Sequence, residues 1–415
     1  MEIGMRKRIL CLGLCFLLLL GFSAGISASE AVFSPEDEAE KVSLLWEYLD
    51  QIRYGESAAS APEFHFDLRS AVLMEASTGM VLYEYQKDEQ HLPASVTKVM
   101  TLLLTMEAID RGQITEEDMV TASEYASSMG GTQIYLEVGE QMSVRDLIKS
   151  VAVPSANDAA VALAEYIAGS ESEFARRMNE RAVQLGMKNT HFNNCTGLFD
   201  DDAHVTSAYD IALVTRELLR HPKIYDYTKI WMDSVRGGQF VLANTNKMLR
   251  TYSGMTGMKT GYTKQSLYCF SGTAERDGMT LIVAIMGASS SDARFSAAKQ
   301  LLDYGFSNYS VAHGDAGEIA PIPVVKGKNF TAPVTVSGSL AVVVPKGQQE
   351  KVQVNVSLPE QIEAPAAKGT QVGVVTYSIG DKVLQTCPVL LAEDVARADF
   401  GDYLGRFLGS LFGKE

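Results

Sequence analysis

The stretch Pro93-Ala94-Ser95-Val96-Thr97-Lys98-Val99-Met100-Thr101-Leu102-Leu103-Leu104 opens an apolar segment predicted to be helical over 94–109, with Gly112 beyond its end as a stop signal. Three residues along a helix put Ser95 and Lys98 on one face, with Cβ atoms about 5–6 Å apart. A serine hydroxyl is a poor nucleophile until a neighbouring base takes its proton. Lysine serves as that base only when its pKa is pulled down, which burial and nearby positive charge both do. A place in the first helical turn adds positive potential that favours charge developing on Ser95. Spacing alone decides little, because Ser296 and Lys299 repeat it. That second pair reads as a solvated helix face.

Working outward, Ser95 has company that Ser296 lacks. Ser155-Ala156-Asn157 is the only S-x-N in the chain, and Lys259-Thr260-Gly261 the only K-T-G. A second hydroxyl and an amide can relay a proton and hold a peptide, while a second lysine supplies positive charge that keeps Lys98 partly neutral. Each tripeptide taken singly is an ordinary turn or cap. In the order S-x-x-K, S-x-N, K-T-G they form a highly specific set. Around them, strands are predicted over 71–74 and 80–85, joined at Ser77-Thr78-Gly79. Two more, over 268–274 and 281–286, are joined at Glu275-Arg276-Asp277-Gly278. Helices are predicted over 144–167, 171–185, 206–219 and 292–304.

Beyond about Tyr309 the texture changes to short alternating runs between Pro and Gly, such as Val352, Val354 and Val356, and then Val372 and Val374. This predicts a separate small β-rich domain over 311–393. In the closing segment, 394–415, Phe400, Tyr403, Leu404, Phe407, Leu408, Leu411 and Phe412 fall on one helical face, opposite Asp402, Arg406, Ser410 and Lys414. Such a helix suits a membrane interface. The alternative is packing on the protein's own β-domain or on a second copy.

At the other end, Arg6, Lys7 and Arg8 precede an apolar run and then small residues, which reads as a cleaved export signal over 1–30. Residues 31–62 read as a tether, leaving 63–310 for the catalytic domain. A net charge of -15 argues against binding to nucleic acid. The cysteines past the signal, Cys195, Cys269 and Cys387, form neither a disulfide framework nor a metal spacing. Dispersed histidines and the absence of a Gly-rich phosphate loop leave no metal or cofactor to expect, and Asp200, Asp201 and Asp202 read as a solvated loop.

These phrases resemble the serine D-alanyl-D-alanine carboxypeptidases, the low-molecular-mass penicillin-binding proteins. The resemblance runs from about Phe66 to Tyr309 and includes VGEQMSVRDLIKSV from Val138, PSANDAAVALAE from Pro154, TGMKTGYT from Thr256, ERDGMTLIVAIMGA from Glu275 and AAKQLLDYGF from Ala297. It implies an α+β fold of the β-lactamase/transpeptidase type: an antiparallel sheet flanked by helices, a helical lobe, and a small β-rich domain following. Ser95 would be acylated by the penultimate D-alanine of a stem peptide, with Lys98 taking its proton. Ser155 and Lys259 would return a proton to the leaving D-alanine. Asn157 would hold the substrate amide, Thr260 and Arg294 the terminal carboxylate, and the backbone N–H groups of Ser95 and Tyr262, which follows Gly261, the oxyanion. For Arg294, a surface ion pair with Asp292 or Asp303 is the other reading.

The resemblance also implies acylation by β-lactam antibiotics, and peripheral attachment to the outer face of the cell membrane through the C-terminal helix. Two departures from the family pattern stand out: Ala156 replaces a frequent glycine and trims the site, and Cys195 lies in a segment that more often holds a proline turn, near the cleft mouth. His204 reads as a capping or packing residue. Competing functions are a β-lactamase, which needs a carboxylate to activate deacylating water, a D,D-endopeptidase, and a non-catalytic wall-binding protein.

Overall fold

The computed structural model describes residues 63–198, 201–314 and 318–411. The predicted export signal, the tether, Asp200 and the last four residues lie outside them. Strand β1 (Ser70–Glu75) turns back through β2 (Val81–Tyr85), and a 3-10 turn over Ala94–Thr97 leads into α1 (Lys98–Asp110). A helical lobe follows with α2 (Val144–Ala152), α3 (Asn157–Ala168), α4 (Glu171–Gln184) and α5 (Ala208–Leu218). The chain returns to the sheet with β3 (Met255–Thr263), β4 (Leu267–Arg276) and β5 (Met279–Ala288), then runs into α6 (Ser291–Asn308). The strand order is β2-β1-β5-β4-β3, antiparallel throughout.

The sheet is covered on both faces, which explains why its strands read as nearly unbroken apolar runs. Along β5, Leu281, Val283 and Ile285 join Ala71, Leu73 and the α6 residues Leu301 and Leu302. The alternate residues Ile282, Ala284 and Met286 join Val72, Met74 and the helical lobe. Helix α1 runs through the centre of that lobe, buried from Lys98 to Met106. A helix apolar on every side needs such a place. The predicted antiparallel sheet, flanking helices and helical lobe are all present.

Two local expectations are corrected. The helix predicted over 144–167 is broken, because Pro154 removes a backbone donor and Ser155 takes a left-handed conformation at φ 76°. Regular apolar spacing continues across the break and hides it. Ser95 lies not in the first turn of the α-helix but in the 3-10 turn before it, entered through Ala94 at φ 48°.

Past α6, β6 (Tyr309–His313) leads to β7 (Ile322–Val325), β8 (Thr331–Ala332), β9 (Val334–Val336), β10 (Ala341–Pro345) and β11 (Gln353–Ser357). Then come β12 (Ile362–Glu363), β13 (Gln371–Ile379) and β14 (Lys382–Leu391). These form a four-stranded sheet in the order β9-β14-β13-β11 with smaller sheets beside it, around a core holding Val375, Tyr377 and Val389. Helix α7 (Phe400–Leu411) follows. Its Arg406 donates to the carbonyls of Gly327 and Lys328 at 2.8 and 2.6 Å and lies over the Phe330 ring. Phe400 and Phe407, by contrast, are 81% and 61% exposed. The polar side of α7 is thus the side held by the β-rich domain, and Tyr403 and Leu404 join the two phenylalanines facing outward.

Candidate active site

The 3-10 turn over Ala94–Thr97 leaves Ser95 the partly exposed member, with Ala94, Val96 and Thr97 buried. Two glycines press on this turn from different segments. A Cβ on Gly261 of β3 would fall 2.9 Å from the Pro93 carbonyl oxygen and 3.1 Å from the Ser95 nitrogen. A Cβ on Gly197, at φ 66°, would fall 1.9 Å from the Ala94 oxygen. His204 steadies the turn from below. Asn193 donates its N–H to His204 Nδ1 (3.0 Å), so Nε2 carries the proton and donates to Thr97 Oγ1 (2.8 Å). Burial pushes this imidazole down to about 4, which keeps it neutral in that role.

Lys98 is completely buried, and its three donors are all engaged. Nζ lies 3.0 Å from Ser95 Oγ, 2.6 Å from Asn157 Oδ1 and 2.9 Å from the Thr196 carbonyl oxygen. Burial pushes the ammonium down to about 7, against the smaller opposing effect of the Cys195 thiol, Asp158 and Glu171. An amine poised there can take a serine proton near neutral pH. Lys259 is also fully buried and is pushed well below its ordinary value, first by burial and then by the charges of Lys98 and Arg294. Two ammonium groups so close to one cleft oppose being charged together.

The remaining predicted residues have these partners among the described residues. Asn157 has both ends of its amide in use, Oδ1 on Lys98 and Nδ2 donating to the Gly130 carbonyl at 2.8 Å. Ser155 is buried, and its hydroxyl makes no hydrogen bond with another protein atom among the described residues. Lys259 donates to the Thr260 carbonyl (3.0 Å) and not to Ser155. The Thr260 hydroxyl donates to Thr245 Oγ1 (2.6 Å). Tyr262 is 54% exposed at the end of β3, its ring tilted against Tyr268 at 4.4 Å.

Arg294 is buried, so the alternative of a surface ion pair with Asp292 or Asp303 is excluded. Its Nη1 donates to the carbonyls of Gly261 (3.2 Å) and Cys269 (3.1 Å), bracing the K-T-G strand. Cys195 is wholly buried rather than near the cleft mouth, and the methyl group of Ala156 sits in the core of the lobe rather than trimming the site. Cys195, Cys269 and Cys387 are free, buried thiols.

Residues 56–290 match the family model described as D-alanyl-D-alanine carboxypeptidase. The chain belongs to that family. Residues 310–397 match the C-terminal domain of penicillin-binding protein 5. Among curated carboxypeptidases of the family, DacF of Bacillus subtilis is 40% identical over 353 residues, 84% of this chain and 90% of that one. Penicillin-binding protein 5 of Haemophilus influenzae has a solved structure that aligns with a TM-score of 0.71 at 30% identity, over 81% of this chain and 100% of that one. Penicillin-binding protein D2 of Listeria monocytogenes, solved in an ampicillin-bound form, aligns at 0.54 and 30% identity over 59% and 100%.

Within this carboxypeptidase framework, some contributors escaped the sequence reading. The Thr196 carbonyl that receives Lys98 is backbone and leaves no mark in the side-chain alphabet. Thr245 joins two motifs, accepting from Thr260 and donating its own N–H to Val153 O at 3.3 Å beside the S-x-N break. Its neighbours Asn244 and Asn246 staple the loop to the Ile230 and Gly257 carbonyls. An Asn-x-Asn stretch ahead of K-T-G was the available signal.

Proposed function

We propose that this protein removes the terminal D-alanine from peptidoglycan stem peptides ending in D-Ala-D-Ala, through an ester on Ser95. The observation that carries the reading is the fully buried Lys98 amine, 3.0 Å from the Ser95 hydroxyl and pushed down to about 7. Neutral Lys98 takes the hydroxyl proton as Ser95 Oγ attacks the penultimate D-alanine carbonyl. The backbone N–H groups of Ser95 and Tyr262 receive the oxyanion; loss of one such donor typically lowers turnover ~10²–10³-fold. Ser155 and Lys259 return a proton to the amine of the departing D-alanine, and water then cleaves the ester. Asn157 Oδ1 fixes the amine, while its Nδ2 donor, now on Gly130, turns to a substrate carbonyl. Thr260 and Arg294 favour the terminal carboxylate by hydroxyl donation and by charge.

A β-lactam acylates the same hydroxyl, but its leaving amine stays tethered in the adduct. Release of that adduct slower than about 1 s⁻¹, a low enzyme turnover, separates this reading from a β-lactamase. A D,D-endopeptidase would use the same ester, and a cross-linked dimer substrate distinguishes it. The deciding experiment is mass spectrometry of the purified protein with a pentapeptide ending in D-Ala-D-Ala. Loss of one alanine with a transient adduct on Ser95 is expected; an intact pentapeptide refutes the proposal.

Export through residues 1–30 and attachment through 394–415 place this activity at the outer face of the membrane. The outward apolar face of α7 supports attachment, and no helix among the described residues is long and apolar enough to cross a bilayer. Removing residues 400–415 should free the protein from membranes with activity on soluble peptides intact. Unchanged retention would contradict attachment by this helix.

A further inference from the structure

The segment carrying the Thr196 carbonyl is held from two sides. On the α1 side, Lys98 and Thr101 stand on one helical face and take successive carbonyls: Lys98 Nζ donates to Thr196 O at 2.9 Å and Thr101 Oγ1 to Cys195 O at 2.6 Å. Within the segment, Asn194 Oδ1 accepts the N–H groups of Thr196 (3.0 Å) and Gly197 (2.7 Å). The opposite side is held by one carboxylate. Glu171, in the first turn of α4, accepts both the N–H (3.0 Å) and the S–H (3.1 Å) of Cys195 on Oε1. Its other oxygen accepts the Tyr125 hydroxyl at 2.6 Å.

We infer that Glu171 is a positioning residue for the acylating pair: its carboxylate fixes Cys195, and through Cys195 the Thr196 carbonyl that orients Lys98 toward Ser95. This rests on the serine-acylation reading above. Negative charge at the first turn of a helix is favoured by the helix dipole, and among the described residues no cation pairs with Glu171. It also bears on the amine. Lys98 faces Glu171 and the Cys195 thiol from this side, Asp158 from α3 and Lys259 from β3. Asp158 is committed elsewhere, accepting the N–H groups of Ile134, Leu136 and Ala159. A change in charge at Glu171 therefore alters the field at Lys98 without disturbing that second carboxylate.

The test compares parent, Glu171→Gln, Glu171→Ala and Glu173→Gln in the rate of acylation by a penicillin across pH 5 to 9. Glu173 is a first-turn acid on the same helix, but it faces Arg176 and Arg177 at the surface. Glutamine keeps an acceptor for Cys195 and removes the charge. The protonated amine then loses a stabilising neighbour, and the acid limb moves to lower pH by about half a unit. Alanine releases the turn as well, and acylation falls about tenfold or more at every pH. Glu173→Gln matches the parent in both measures. Should a folded Glu171→Ala, or Glu171→Met where alanine does not fold, acylate within about twofold of the parent, Glu171 is only a helix-end residue and the inference fails. A parent protein inert to both penicillin and pentapeptide would overturn the acylation reading and this inference together.

Discussion

Two regions of this molecule spell the same pair and treat it in opposite ways. Ser95 and Lys98 lie where a 3-10 turn meets a buried helix, under a sheet edge, with the amine wholly enclosed. Ser296 and Lys299 lie on the outer side of α6, both exposed, beside a hollow of about 290 Å³ lined mainly by Met248, Tyr252 and Phe295. There the serine oxygen accepts a hydrogen bond from Gln300 Nε2 at 3.1 Å instead of an amine. Spacing is common to both. What separates them is desolvation of the lysine and a full set of acceptors that hold it in one orientation. Chemistry at a Ser-x-x-Lys pair is therefore a property of its enclosure.

The sharpest way to break this contrast is Ser95→Ala, which should remove penicillin labelling and lower D-alanine release by about 10⁴-fold or more. Labelling detected by mass spectrometry in that variant would show that another hydroxyl, Ser296 among them, is acylated. Next in size is Gly261→Ala. The added methyl meets backbone 2.9–3.1 Å away and pushes β3 from the Ser95 turn, and kcat/KM should fall about 10²-fold with overall helix content unchanged by circular dichroism.

A pH series sharpens the role of enclosure. With Lys98 pushed down to about 7, kcat/KM should rise through that pH as the amine loses its proton, and a limb well above it would mean that the amine is not desolvated. The same shift acts on stability. Between about 7 and its ordinary 10.5, Lys98 is protonated in the unfolded chain and largely neutral in the fold. The unfolded state then binds more protons, and stability contributed by this group rises with pH across that window. Denaturant titration of Lys98→Met should accordingly lack part of the parent's rise. The smallest effect belongs to Ser296→Ala and Lys299→Ala, each expected to leave acylation and release within about twofold of the parent.

The candidate site was legible where its contacts are made by side chains, as with Lys98, Ser95 and Asn157. Lys98 on α1 joins Ser95 of the 3-10 turn and Asn157 just past the helix break, and the charge of Lys98 is felt at Lys259 on β3. The strands announced themselves through buried runs such as Leu281 to Met286. Less legible was anything set by the backbone. The break at Pro154 and Ser155 sits inside an uninterrupted apolar period, and the 3-10 geometry at Ala94 has no compositional mark. Arg294 offered a choice between surface and interior that only packing decides, since its carbonyl partners Gly261 and Cys269 come from two strands. The C-terminal helix was legible in its faces but not in its orientation, which depends on two carbonyls in a loop seventy-odd residues earlier.

Gly197 and Gly261 grip the Ser95 turn like the jaws of a vice, and neither jaw has room for a methyl group. A side chain at either position would displace the backbone around Ser95, so bulk there acts on every reagent that reaches this hydroxyl, a drug and a peptide alike.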